Sequence, residues 1–217
     1  MRVLDAEEPR SAALREAFGW HIPVPTRIIA YQLGVLGRAE TPSPSSPQNV
    51  AGLVLRLYAA LDRAAQQDPN AGVEIRSGLS DAMTNFEDGP PPCVWIGTTF
   101  ATADRVAFRG APAGCAPYLH AVPADLAGFT RLLRLLGVRD AFGPADFASL
   151  LRALREDQKV PNAEGGGKQT RLIGVALAAV RALASYEGLT KERCTDLDIM
   201  LPDESGTLAP ARDLVYD

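Results

Sequence analysis

The sequence predicts an α+β fold, mostly helical, with a small β-sheet formed by short central strands and a carboxyl-terminal hairpin. Three observations lead there. Apolar residues recur at three- and four-residue intervals in five separate stretches, the mark of helices with one buried face. Two short apolar runs, Cys93–Ile96 and Arg105–Phe108, lie among proline and glycine breaks and suit strands. The segment Pro202–Gly206 places turn residues between Ile199–Leu201 and Thr207–Ala209, the pattern of a hairpin. Strands do not alternate regularly with helices, which argues against a parallel βαβ sheet.

Taken in order, a first helix is expected at Ser11–Phe18, with Ser11 as N-cap and Gly19 as terminator. Trp20–Pro25 reads as an extended connector, because its two prolines oppose helix. From Thr26, Ile28, Ile29, Leu33 and Leu36 fall on one helical face that ends at Gly37. Thr41–Gln48, TPSPSSPQ, reads as a flexible loop. Val50, Leu53, Val54, Leu57 and Leu61 then define an amphipathic helix that closes at Asp68-Pro69. Residues 70–86 carry only weak helical periodicity, through Val73, Leu79, Met83 and Phe86, before EDGPPP at 87–92 stops it.

The segment after Val122 is the clearest helix. Pro123 suits its first turn, Leu126, Phe129, Leu133 and Leu136 form its stripe, and Gly137 ends it. Gly143-Pro144 opens the next, with Phe147, Leu150, Leu151 and Leu154 on one side and Arg152, Arg155 and Glu156 on the other. After a Gly-rich loop at 161–167, an Ala-rich helix runs from about Lys168 to Tyr186, with Leu172, Ala176, Val180 and Leu183 inward. Residues 1–217 are read as a single domain or fragment, able to bury roughly 70% of its unfolded surface.

The net charge of −4 resides in the tail, since residues 1–187 sum to zero. Such a balance gives no basic face for nucleic acid. Cys93, Cys115 and Cys194 lie 22 and 79 residues apart, with no CxxC pair, and read as apolar thiols in a reducing compartment. The amino terminus lacks the apolar core of a secretory signal. The most apolar run, Leu172–Ala184, is interrupted by Arg181 and is too short to span a membrane. A soluble, cytoplasmic protein is expected.

No catalytic, cofactor-binding or metal-binding residues emerge from the motifs. Glu164–Thr170, EGGGKQT, invites comparison with a phosphate loop, but Asn162 occupies the first glycine position and Gln169 follows Lys168 where Ser or Thr would hold magnesium. The histidines, His21 and His120, have no serine elbow to serve. Asp196, Asp198, Asp203 and Glu204 lack the spacing of a calcium loop and suit a solvated hairpin tip. Trp20 and Trp95 read as core residues.

Four stretches, in this order, resemble the repeat units of the sacsin family of giant chaperone-like proteins, in particular the plant and algal form. FGWHIPVPTRIIAYQL is similar to the family's Gly-Trp followed by a proline and a helix. CVWIGTTFATADRVAF resembles its second pattern at Trp95, Gly97, Phe100, Asp104 and Val106. The third is matched at Pro117, Tyr118, Leu119, Val122, Pro123, Leu136, Gly137 and Val138. The last is matched at Leu201–Asp203, Gly206, Leu208 and Leu214–Tyr216. The resemblance spans roughly residues 18–217 and departs from the family at the Pro/Ser loop and at EGGGKQT. It places the chain downstream of the family's GHKL-type ATP-binding region, so no ATP-site residue is carried over and no cofactor is implied. It implies a non-catalytic module whose partners are the adjacent ATPase-like domain, heat-shock chaperones and client proteins, with no nucleic acid or membrane. The alternative is an accessory module that completes the neighbouring ATPase site through Arg105, Arg109 or Lys168.

Overall fold

A computed structural model describes residues 24–38, 47–83, 91–159, 167–187, 190–203 and 205–213. The fold is mostly helical α+β, as the sequence predicts. Helix α1 (Thr26–Arg38), α2 (Pro47–Gln67) and α3 (Ala71–Asp81) precede a hairpin of β1 (Val94–Trp95) and β2 (Phe100–Ala101). A 3-10 turn, Ala103–Arg105, leads into β3 (Val106–Arg109), followed by β4 (His120–Ala121), a 3-10 segment Ala124–Phe129, α4 (Thr130–Leu135) and β5 (Arg139–Ala141). Then come α5 (Pro144–Lys159), α6 (Gly167–Ala184), α7 (Lys191–Asp196) and a hairpin of β6 (Met200–Pro202) and β7 (Leu208–Pro210). The expected helix at Ser11–Phe18, most of the Pro/Ser loop, the Gly-rich loop up to residue 166 and Leu214–Tyr216 lie outside the described residues.

The strands depart from expectation in two ways. They form three separate sheets instead of one: β1-β2, β4-β3-β5 and β6-β7. The central sheet is parallel, with Val106 opposite His120 and Ala107 opposite Arg139. The path from β4 through α4 to β5 is thus a small βαβ crossover, which the irregular alternation of elements argued against. Its strands are only two to four residues long, too short to display a period in sequence. The carboxyl-terminal hairpin does not join the central strands. It packs on α5 and α6 instead, because Ile199, Met200 and Leu208 are buried among the apolar residues of those helices.

The central sheet divides two cores. The first gathers Leu33, Tyr58, Leu61, Ile75, Trp95, Val106, Leu126 and Leu133, with Phe129 and Leu136 packed against it. Trp95 and the Leu126–Leu136 stripe thus share one core. The second gathers Ala107, Leu119, Phe142, Phe147, Leu151, Leu154, Val175 and Leu208. Adjacent residues of β3 supply one side chain to each, since successive residues of a strand face opposite ways.

Local chemistry explains the element ends. Gly137 adopts φ +97°. Its N–H bonds to the Arg134 carbonyl at 3.1 Å, and that of Val138 to the Leu133 carbonyl at 2.9 Å. This pair of hydrogen bonds is the Schellman termination that glycine permits. At the start of α5, Pro144 occupies the first helical position and Asp146 accepts the Gly143 N–H at 2.9 Å, half of a capping box.

The buried face of α1 differs from the expected one. Ala30, Leu33 and Gly34 are buried, whereas Ile28 is 43% exposed. Small residues let α1 and α3 approach closely: a Cβ on Gly78 would lie 2.2 Å from the Arg27 carbonyl oxygen. Val24, Tyr31 and Val35 join Ile28 on the outer side. Among the described residues, no helix is long and apolar enough to cross a membrane.

Candidate functional site

At the amino ends of the three parallel strands lies a cleft of about 210 Å³. Its walls come from three short segments and one helix. The turn Ala103–Arg105 supplies Asp104 and Arg105. The turn closed by Tyr118 and Leu119 N–H bonds to the Cys115 carbonyl supplies those two side chains. Arg139 opens β5, and α5 supplies Asp146, Ser149, Leu150 and Ala153. The cis Ala116–Pro117 peptide lies just before Tyr118.

Four polar side chains of the cleft, Arg139, Asp146, Tyr118 and Ser149, already have hydrogen-bond partners. Arg139 Nη1 donates to Asp146 Oδ1, and the other oxygen of that carboxylate holds the Gly143 N–H. Tyr118 donates its hydroxyl to Asp157 Oδ2 at 2.5 Å. Burial pushes the Tyr118 phenol up to about 12, the bond to Asp157 adds to this, and Arg105 and Arg171 oppose it. The phenol therefore keeps its proton near neutral pH. Ser149 Oγ accepts from Arg152 at 3.2 Å. The guanidinium of Arg105 has no hydrogen-bond or ion-pair partner among the described residues. Leu119 and Leu150, both under 10% exposed, form an apolar floor. These groups can bind and orient a small molecule or chain end.

A second, apolar cavity of about 360 Å³ lies between Leu79, Met83, Pro91, Cys93, Ala103 and Leu136. Burial pushes the Cys93 thiol up to about 12 and also raises Cys115, so both stay protonated and behave as small apolar groups. Cys194 is half-buried and, like them, free. Among the described residues, no group of three or more His, Cys, Asp or Glu side chains stands close enough to hold a metal ion.

Of the basic residues singled out by sequence, Arg105 lines the cleft, Arg109 ends β3 on the surface, and Lys168 lies in the first turn of α6. The structure does not bring the three together in the cleft, which holds Arg105 alone of them. His120 lies on β4, where Nε2 donates to the Pro117 carbonyl at 2.8 Å; His21 lies outside the described residues. Gly167–Thr170 form the start of α6, preceded by helix α5 instead of the strand a phosphate loop needs. Of the acidic group, Asp203 folds back to accept the Ser205 and Thr207 N–H groups at 2.8 and 2.9 Å. These bonds, with that of the Ser205 hydroxyl, hold its carboxyl below the usual range. Asp196 is exposed, and Glu204 lies outside the described residues. Trp95 is buried and meets Phe100 edge to face at 5.1 Å.

Sequence reasoning missed Arg139, Asp146 and Ser149 as cleft residues. The signal that existed was Gly137, whose helix termination aims the following residue into a strand. Tyr118 entered only through the family pattern. No family model, curated protein or solved structure matches the chain.

Proposed function

We propose that the chain is a non-catalytic structural and protein-interaction module of a sacsin-like chaperone or co-chaperone. One observation supports this reading above others. The described residues that carry the resemblance serve chiefly as parts that build the fold. Trp95, Val106, Leu119 and Leu208 fill the two cores. Gly97 and Gly206 take the positive φ of hairpin turns, Pro123 caps the 3-10 segment, and Gly137-Val138 ends α4. A pattern made of caps, turns and core residues marks a shared scaffold, whereas an enzyme's pattern would fall on reacting groups. The test is aggregation of a heat-denatured reporter enzyme, followed by light scattering. Suppression at equimolar chain is expected, and no suppression at tenfold excess refutes a chaperone role.

The accessory reading has one observation in its favour: the guanidinium of Arg105, which lines the cleft and has no partner among the described residues. In that reading the chain raises ATP turnover of a GHKL-type ATPase domain added in trans, and Arg105→Ala abolishes the rise. No change in turnover on mixing leaves the interaction reading alone.

A further inference from the structure

We propose that the cleft at the amino ends of β3, β4 and β5 is a binding site for a monoanionic carboxylate carrying a small aliphatic side chain. This inference stands independently of the chaperone reading. The chemistry starts from Arg105. A guanidinium offers five N–H donors in a planar fork that fits a carboxylate with two parallel bonds. The other strong donors near it are already engaged, Arg139 by Asp146 and Tyr118 by Asp157, so among the described residues lining the cleft Arg105 is the cation left to meet a ligand.

The charge of the site selects the class of anion. Arg105 and Arg139 are balanced by Asp104 and Asp146, with Asp157 just beyond Tyr118. A singly charged carboxylate pairs with Arg105 and adds little repulsion. A phosphate dianion meets the same guanidinium against three nearby carboxylates and gains less. The floor selects the rest of the ligand. Leu119 and Leu150 line the same cleft and leave a small apolar surface there, enough to favour a small aliphatic group at about 25 cal/mol per Å². The Tyr118 oxygen, its O–H engaged in the hydrogen bond to Asp157, retains lone pairs for an amide N–H. A polypeptide carboxyl terminus ending in leucine and a free branched-chain carboxylic acid share this chemistry.

The experiment is amide-shift titration of the full chain by nuclear magnetic resonance with acetyl-Ala-Ala-Leu, its carboxamide and 4-methylpentanoate. The free-carboxyl peptide is expected to saturate with a Kd below about 1 mM, shifting residues around Arg105, Leu119 and Ser149. The carboxamide should bind at least tenfold more weakly. Arg105→Gln, a surface change, should weaken the peptide at least tenfold, while Arg131→Gln on exposed α4 leaves it unchanged. Tighter binding of the peptide than of 4-methylpentanoate assigns the site to chain termini, and the reverse order assigns it to small acids; either upholds the proposal. Equal binding of the carboxamide, indifference to Arg105→Gln, absence of saturable shifts, or tighter binding of inorganic phosphate overturns it.

Discussion

The phenol of Tyr58 shows how much one side chain can fix. It reaches from α2 to the free edge of the β1-β2 hairpin, donating to the Cys93 carbonyl at 2.6 Å and accepting the Trp95 N–H at 3.1 Å. In this way one residue satisfies the two backbone groups that a third strand would have paired. Tyr58→Phe keeps the ring and strands both groups in the core, so a loss of about 2–4 kcal/mol is expected in urea denaturation. A loss under 0.5 kcal/mol would mean that water reaches that edge. Burial also sets a pH dependence. It lifts the Tyr58 phenol well above its ordinary value of 10.0 and the Cys93 thiol from 9.0 to about 12. The unfolded chain releases these protons first, so the folded state binds more protons between the two sets of values. Stability is therefore unaffected by these groups below about pH 9. It falls as pH rises toward 12, by up to about 1.4 kcal/mol per pH unit for each group. Urea midpoints at pH 8 and pH 10.5 check this, and a Cys93→Ala variant should lose the earliest part of the decline.

The second hairpin repeats the same device at the level of an element. Gln158 of α5 donates its amide to the Gly206 carbonyl and accepts the Leu208 N–H, both at 3.0 Å. Pro210 has no N–H to leave open on that side, and Pro202 none on the other, which blunts both edges. Gln158→Leu should destabilise by about 1–3 kcal/mol, measured by thermal melting. The helices offer a paired test of close packing. A Cβ at Gly52 meets nothing within 4 Å, so Gly52→Ala should add about 0.8–1 kcal/mol from helix propensity. At Gly78 the same change drives a Cβ against the α1 backbone and should destabilise despite that gain; a stabilised Gly78→Ala would refute the close α1-α3 contact. This packing also explains what sequence could not reveal. Ala30 and Gly34 carry the buried face of α1 because close approach needs small residues, and a search for large apolar residues therefore chose Ile28. The long stripes of α2, α5 and α6 were legible because Leu, Val and Phe recur on their buried sides. The parallel sheet was not, since strands such as His120–Ala121 owe their existence to distant partners. The cleft was hidden for the same reason: its walls come from four segments between residues 104 and 153, and only the fold brings them together.

For the whole molecule, the central sheet makes the two cores interdependent. Val106 and Ala107, adjacent on β3, belong to different cores, and both are fully buried. In a Trp20→Phe chain, Trp95 fluorescence, which reports the first core, should follow one transition with far-ultraviolet circular dichroism, which reports all helices. Two separated transitions would show the cores to be independent. Removing Asp198–Asp217 tests the same coupling, because it takes Ile199, Met200 and Leu208 from the second core. The expected result is aggregation through the bared faces of α5 and α6, and a truncated chain with unchanged melting temperature would contradict it. The divided sheet has a further consequence for how the protein is made. Every buried residue of the first core precedes residue 139, whereas the second needs residues as late as Leu208. During synthesis the first core can close while Ala107, Cys115 and Leu119 still wait for their covering helices. At ribosomal rates that wait covers about 70 residues, roughly 4–14 s. For those seconds each nascent chain carries an uncovered apolar sheet face, and neighbouring chains on the same messenger are the nearest surfaces it can meet.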